Sequence, residues 1–259
     1  MIPSFDIEQH FTEVSSVYRD VRTTDREPVN RIAVELEGLP HPKGADIGCG
    51  AGRYDLLMFE MIPGLRFTCI DANQAMLAQV HELLSNNGID AFETRHSTVE
   101  DLELEPSAYD FVTSFNAMHH FDFSEFLRKS RDGLATRGHL FVYTRLPGQN
   151  ARSIWGENFP GFADKETRLV ELGEIHRGIE DTPGLRFVSA TCLRYRRRSS
   201  LERLVKQARS RHYSTFALYD PDAFEDALAA FQKKVRRQFS DTVEWNDENV
   251  LIHALRNDD

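Results

Sequence analysis

Cysteine is scarce in this chain. Cys49, Cys69 and Cys192 are the only three in 259 residues; few, odd in number and widely spaced, they exclude a disulfide framework and a zinc cluster and leave no metal site to expect. The same poverty fits a reducing compartment, and a cytoplasmic protein is expected. Long apolar runs are also missing: no stretch approaches the roughly 18 residues that a bilayer-spanning helix needs. Met1 to His10 lack a basic start followed by an apolar segment, so secretion is not expected. Positive charge is in short supply. Thirty-one Lys and Arg face 41 Asp and Glu, a net charge of −10, which argues against a general nucleic-acid or anionic-membrane partner. Repeats, linkers and low-complexity tracts are absent too.

What is present is enough hydrophobic material, 41% of residues, for one large domain or one core carrying an insertion. Between Gly44 and Leu146, short β-like runs alternate with helix-like ones. Ala45-Asp46-Ile47 ends a first strand and a helix runs from Arg53 to about Met61. Arg66 to Asp71 is a second strand. Asn73 then caps a helix with Met76, Leu77, Val80, Leu83 and Leu84 at helical spacing, stopped by Asn86-Asn87-Gly88. Phe92–His96, Tyr109–Phe115 and His139–Tyr143 read as further strands, with a helix from Phe123 to Leu134. This alternation predicts an α/β fold, a mostly parallel, doubly wound sheet with helices on both faces. Upstream, Thr24 or Asp25 is placed to cap a helix from Arg26 to Leu36. Downstream, residues 147–184 are mixed loop and helix, Phe187–Leu193 a strand, Ser200–Arg211 and Pro221–Phe239 helices, and Glu248–Leu255 a last strand. The expected organisation is an N-terminal helical segment over 1–40 and a main domain over 41–259, with a helical cap insertion at about 194–240.

The chemistry is concentrated at Asp46-Ile47-Gly48-Cys49-Gly50-Ala51-Gly52, a strand-to-helix loop whose glycines let backbone approach a ligand. A dinucleotide loop spaces its glycines Gly-x-Gly-x-x-Gly, and the third would fall on Arg53. The spacing therefore disfavours a nicotinamide cofactor. Asp71, at the tip of the second strand, can accept hydrogen bonds from ribose hydroxyls, and Asp46 can favour a cationic amino group.

Residues 44–146 resemble the class I S-adenosylmethionine-dependent methyltransferases, of the UbiE-like and trans-aconitate-like small-molecule group. The resemblance rests on four stretches in the right order: Ala45 to Gly52, Cys69 to Asn73 with Met76-Leu77, Val99 to Leu102, and Phe111 to Phe121. It implies a Rossmann-like seven-stranded sheet with the last strand antiparallel, and S-adenosylmethionine bound at the carboxyl ends of the strands. By position, Gly48, Cys49 and Gly50 line the methionine moiety, Asp71 the ribose, and Ala72 and Met76 the adenine, with Asn116 beside the methionine portion. Relatives often place an Asp where this chain has Thr98, so the adenine amine falls to the backbone of Thr98 or Val99, or to Glu100. In similar enzymes a helix before the first strand closes over the cofactor; here Arg22 would pair with the methionine carboxylate and Tyr18 would cover the sulfonium.

For the methyl acceptor, the residues following the fourth and fifth strands are Asn116, His119, His120, Tyr143 and Arg145. His119 is the candidate general base, with a structural turn as the competing reading. The basic run from Arg194 through Arg211 sits oddly in an acidic protein. Its continuation, Arg211-His212-Tyr213-Ser214, resembles the acceptor-bordering cap of the trans-aconitate-like group. Arginines there suit an anionic acceptor; a solvated basic face and an RNA contact are the alternatives. The leading expectation is methyl transfer to a small acceptor at O, N or C. A transfer-RNA or protein methyltransferase and a cofactor-binding regulator without turnover stand beside it, and the oligomeric state is open.

Overall fold

A computed structural model describes residues 23–257 of the chain. They divide into two compact units: residues 23–144, 170–193 and 250–257 form the first, and residues 145–169 and 194–249 the second. The chain therefore crosses between units within its last two strands, and the helical material after residue 144 shares a unit with that after residue 194.

The first unit starts with α1 (Glu27–Glu35) and continues through β1 (Lys43–Ile47), α2 (Arg53–Met61), β2 (Arg66–Asp71), α3 (Gln74–Asn86), β3 (Phe92–His96) and β4 (Tyr109–Phe115). After a single 3-10 turn at Met118–His120 come α4 (Phe123–Gly133) and β5 (Leu134–Thr144). The sheet has seven strands in the order β3-β2-β1-β4-β5-β7-β6, where β6 is Leu185–Ser199 and β7 is Val243–Arg256. β1 pairs in parallel with both β2 and β4, β4 with β5, and only β7 runs antiparallel to β5. The parallel, doubly wound sheet read from the alternation is present, with the antiparallel last strand. The order reverses between β1 and β4, and the carboxyl ends there form the crevice in which such sheets place ligands.

Local chemistry explains the elements. β4 is buried at every position but Asp110, as a strand covered on both faces must be. The Asn73 side chain accepts the Met76 amide at 3.1 Å and caps α3, whose Met76, Leu77, Val80 and Leu84 are buried. Each such side chain contributes about 1.5–3 kcal/mol relative to exposure.

Several boundaries differ from the sequence reading. Neither Thr24 nor Asp25 caps α1: its N-cap is Arg26, without a side-chain cap. Thr24 instead accepts from Arg53 at 2.7 Å and Asp25 from the Tyr143 hydroxyl at 2.9 Å. β5 begins at Leu134, five residues early, because Leu134 already pairs with Tyr109 before an irregularity brings His139 opposite Phe111. β6 extends to Ser199 and takes in the start of the basic run, whose Arg194, Arg196 and Arg198 alternate outward as period-2 geometry requires. The segment 170–184 holds α8 (Leu172–Glu180).

The second unit contains three short helices, α5 (Pro147–Ala151), α6 (Ile154–Asn158) and α7 (Phe162–Lys165), together with α9 (Leu201–Arg209) and α10 (Pro221–Gln238). It has its own aromatic core. Trp155 stacks on Phe231 at 5.0 Å, and Phe159, Phe162, Phe216 and Phe224 close around them. No described helix is long and apolar enough to cross a membrane.

Candidate functional site

Backbone hydrogen bonds shape the loop after β1. The Gly48 and Cys49 amides both donate to the Ile70 carbonyl, at 2.8 and 3.0 Å. This turn holds Gly48, Gly50 and Gly52 at φ of +79°, +55° and +77°, the left-handed region. Space is also exhausted: a Cβ on Gly48 would lie 2.4 Å from Ala117 Cβ, and one on Gly52 3.3 Å from the Val80 backbone. The Gly50 amide donates to Asp71 Oδ2 at 2.8 Å, and the Asn73 amide to Asp71 Oδ1 at 2.8 Å. Asp71 is thus clamped between the loops that follow β1 and β2. Burial pushes its carboxyl above the usual range, while the two amides pull the other way.

Beneath the loop lies unneutralised acid. Asp46 is 1% exposed. One of its oxygens accepts from Thr113 at 2.9 Å, and the other, fully buried, has no hydrogen-bond partner among the described residues. Burial first, then the neighbouring Asp55, push Asp46 well above the carboxylate range. Asp55, in the first turn of α2, is 0% exposed and is pushed up to about 7, mainly by burial. Two adjacent buried carboxylates cannot both ionise without a cation beside them. Sequence reasoning singled out Asp46 and Asp71 but not Asp55, whose only signal was a charged residue among the buried positions of α2. Cys49 and Cys69 are also pushed up by burial and nearby acids, and have no thiolate character at neutral pH.

The other expected residues frame the loop. The Ala72 carbonyl contacts His96 Nε2 at 2.8 Å, and Met76 is buried at 1% exposure. Thr98 donates to Asp101 at 3.2 Å, Val99 is buried, and Glu100 accepts the Asp122 amide at 3.5 Å. At the end of β4, Asn116 takes φ +56° while its amide donates to the Tyr143 carbonyl at 2.7 Å. His119 and His120 share the 3-10 turn with rings 4.0 Å apart. The ring of Tyr143 is buried against Tyr54 and Phe115, which makes it a packing residue whose hydroxyl is spent on Asp25. Tyr18 and Arg22 lie outside the described residues.

In the second unit the structure brings Arg145 and Tyr213 together, with the guanidinium 5.8 Å from the ring centroid. Arg145 donates to Asp247 at 2.7 Å and to Asn249 at 3.1 Å. Arg197 approaches the same Asp247 at 3.7 Å, and all three side chains are largely buried. Two guanidiniums share one carboxylate. Three further arginines of the basic run meet acids: Arg194 pairs with Glu248, Arg196 with Glu244 and Arg209 with Glu225. His212 packs between Trp155 and Tyr213 and bonds the Gln207 carbonyl at 2.9 Å. Arg211 lies over the Phe224 ring at 5.8 Å. Sequence reading missed Arg168 and Glu166, whose carboxylate also accepts from Thr215 at 2.6 Å; Arg168 donates in turn to Ser214 at 3.0 Å.

The comparisons agree with this geometry. A family model described as a methyltransferase domain matches residues 45–142, the stretch that carries the glycine loop, Asp71 and the β4 end. No curated protein matches the sequence. Among solved structures, YcgJ from Bacillus subtilis is similar with a TM-score of 0.64 at 15% identity, over 91% of this chain and 100% of that one. A geranyl diphosphate C-methyltransferase from Streptomyces coelicolor, solved with Mg2+, geranyl-S-thiolodiphosphate and S-adenosylhomocysteine, gives 0.55 at 16%, over 88% and 74%. A Haemonchus contortus phosphoethanolamine N-methyltransferase, solved with phosphomonomethylethanolamine and S-adenosylhomocysteine, gives 0.56 at 17%, over 89% and 52%. Those identities speak for the fold, and the family match gives the chemistry of the stretch it covers: residues 45–142, with the glycine loop and Asp71, match a methyltransferase domain.

Proposed function

We propose that this enzyme methylates a small acceptor carrying a carboxylate or phosphate. The observation that carries the reading is the pair of largely buried guanidiniums, Arg145 and Arg197, on the single carboxylate of Asp247. Both guanidiniums sit in a largely buried place, and arginine suits two-point capture of a carboxylate or phosphate. The two methyltransferases above that were solved with phosphorylated ligands support it by analogy of fold. The acid partners of Arg194, Arg196 and Arg209 weaken the RNA-docking reading, since those side chains have no spare charge for phosphates.

The cofactor-binding assignments in the first unit belong to the same proposal. Asp71 would accept the ribose hydroxyls, and Gly48, Cys49 and Gly50 would line the methionine portion. Asp46 would face its amino group. Ala72, Met76, Thr98, Val99 and Glu100 would border the adenine, and Asn116 the methionine end. The bound cofactor supplies an electrophilic methyl group, and the chain's task is to hold the acceptor in line behind it, an alignment worth roughly 7–11 kcal/mol in favourable cases. His119 is the candidate to take a proton from the acceptor where one must leave, a gain of about 10²–10⁴-fold.

The test is incubation with methyl-labelled S-adenosylmethionine and a cell extract, separated into small-molecule, RNA and protein fractions. Label in anionic small molecules supports the reading. Label in RNA or protein overturns it, and cofactor binding without label in any fraction would leave a regulator.

A further inference from the structure

The geometry points to a second site, a zinc-class metal site made by Glu35, His139 and His253 at the opposite end of the sheet from the glycine loop. All three belong to the first unit, and they come from α1, β5 and β7. Their ligand atoms lie within 4.8 Å of one another. His139 pairs in register with Phe111, and Phe111 with Gly44 near the start of β1. The cofactor loop begins only after Ile47, three residues further along. At about 3.3 Å per residue, the His pair sits roughly 10 Å down the strands from it.

The ring nitrogens His139 Nδ1 and His253 Nε2 are 3.0 Å apart, with the rings stacked 8° from parallel. Two nitrogens each about 2.0–2.1 Å from a tetrahedral ion stand about 3.3–3.4 Å apart, so a few tenths of an ångström of opening, with a turn of both rings to aim their lone pairs at the ion, admits one. The two facing nitrogens share one proton in an N–H to N hydrogen bond, and a change of tautomer in the donor ring moves that proton to its far nitrogen and frees both facing nitrogens to ligate. Glu35, the last residue of α1, is exposed, and a carboxylate oxygen of it lies within 4.8 Å of a ring nitrogen of each histidine. Two imidazoles and one carboxylate are a donor set suited to zinc, with a fourth position left for water.

That position has room. A cavity of about 290 Å³ adjoins the cluster, lined among others by Asn30, Arg31, Glu35, Ser189, Thr191 and His253. The nearest cations do not forbid an ion. Arg31 is paired with Glu27 at 2.9 Å, and Arg186 acts on His253 as a minor influence after burial and His139. An ion here would tie Glu35 of α1 to His139 of β5 and His253 of β7, each more than 100 residues away from it in sequence. Its role would be structural, apart from the methyl transfer.

The experiment uses the untagged full-length protein, stripped with a chelator and then titrated with zinc against a chelating indicator. One equivalent should bind, and the melting temperature should rise by several degrees. Glu35→Gln and His139→Gln should each weaken zinc binding tenfold or more and abolish that rise. Both should keep the wild-type affinity for S-adenosylmethionine by calorimetry, which certifies the fold. Glu35 is exposed, so its variant tests the site even where a histidine variant fails to fold. The proposal is overturned by an absence of stoichiometric binding, or by wild-type zinc affinity in Glu35→Gln and His139→Gln. Either result would leave the two histidines as an ordinary N–H to N hydrogen bond.

Discussion

The Gly50 amide donates to Asp71 Oδ2 at 2.8 Å and so fastens the glycine loop after β1 to the tip of β2. The carboxylate that is proposed to hold the ribose also fixes the loop proposed to hold the methionine end. Asp71→Ala should therefore weaken S-adenosylmethionine binding more than tenfold in calorimetry. Asp71→Asn can keep one of the two amide contacts and should fall between the variants. Unchanged affinity in Asp71→Ala would remove Asp71 from the cofactor site.

Gly48 tests the loop sterically. Its φ of +79° and the 2.4 Å approach to Ala117 Cβ mean that Gly48→Ala strains the backbone and collides at once. About 1–3 kcal/mol of stability should be lost, together with most cofactor affinity. Adding Ala117→Gly relieves the collision but leaves the strained φ, so recovery in thermal melts should be partial. Full recovery would show that packing alone demands this glycine.

Asp55 predicts a pH dependence. An unfolded aspartate titrates near 4, and Asp55 in the fold near 7. Between those values the folded chain holds a proton that the unfolded chain has released. This group therefore favours folding at low pH and costs stability as pH rises from about 4 to about 7, with the full penalty in place above that. Asp55→Asn should raise the melting temperature by more at pH 8 than at pH 5. An equal shift at both would show that Asp55 ionises normally.

The acceptor proposal separates two arginines. Arg197→Gln should raise the KM for an anionic acceptor about tenfold or more and leave that for S-adenosylmethionine unchanged, because it removes one of the two guanidiniums at Asp247. Arg209→Gln, whose partner is the exposed Glu225, should change neither. If both raise the acceptor KM equally, the effect is general surface charge.

Trp155 anchors the second unit, 4% exposed against Phe231, Phe216 and His212. Trp155→Ala should cost about 3–5 kcal/mol, read as a fall in chemical-denaturation midpoint. A loss under 1 kcal/mol would mean that the aromatic core refills the space.

The sequence by itself determined the alternation of strands and helices, the Asn73 cap and the glycine loop with Asp71. Each of these is written in residues close along the chain: a period, a capping side chain, a glycine spacing. It could not show that Asp25 meets Tyr143 rather than capping α1, because their contact spans 118 residues. Nor could it weigh the basic run, since the carboxylates that neutralise Arg194 and Arg196 arrive from β7. The burial that raises Asp55, and the meeting of Glu35, His139 and His253, were also decided only by tertiary structure. Charge and ligation depend on which side chains face each other across the sheet. That is set by strand order and register, and those distances are not recorded in the spacing of residues along the chain.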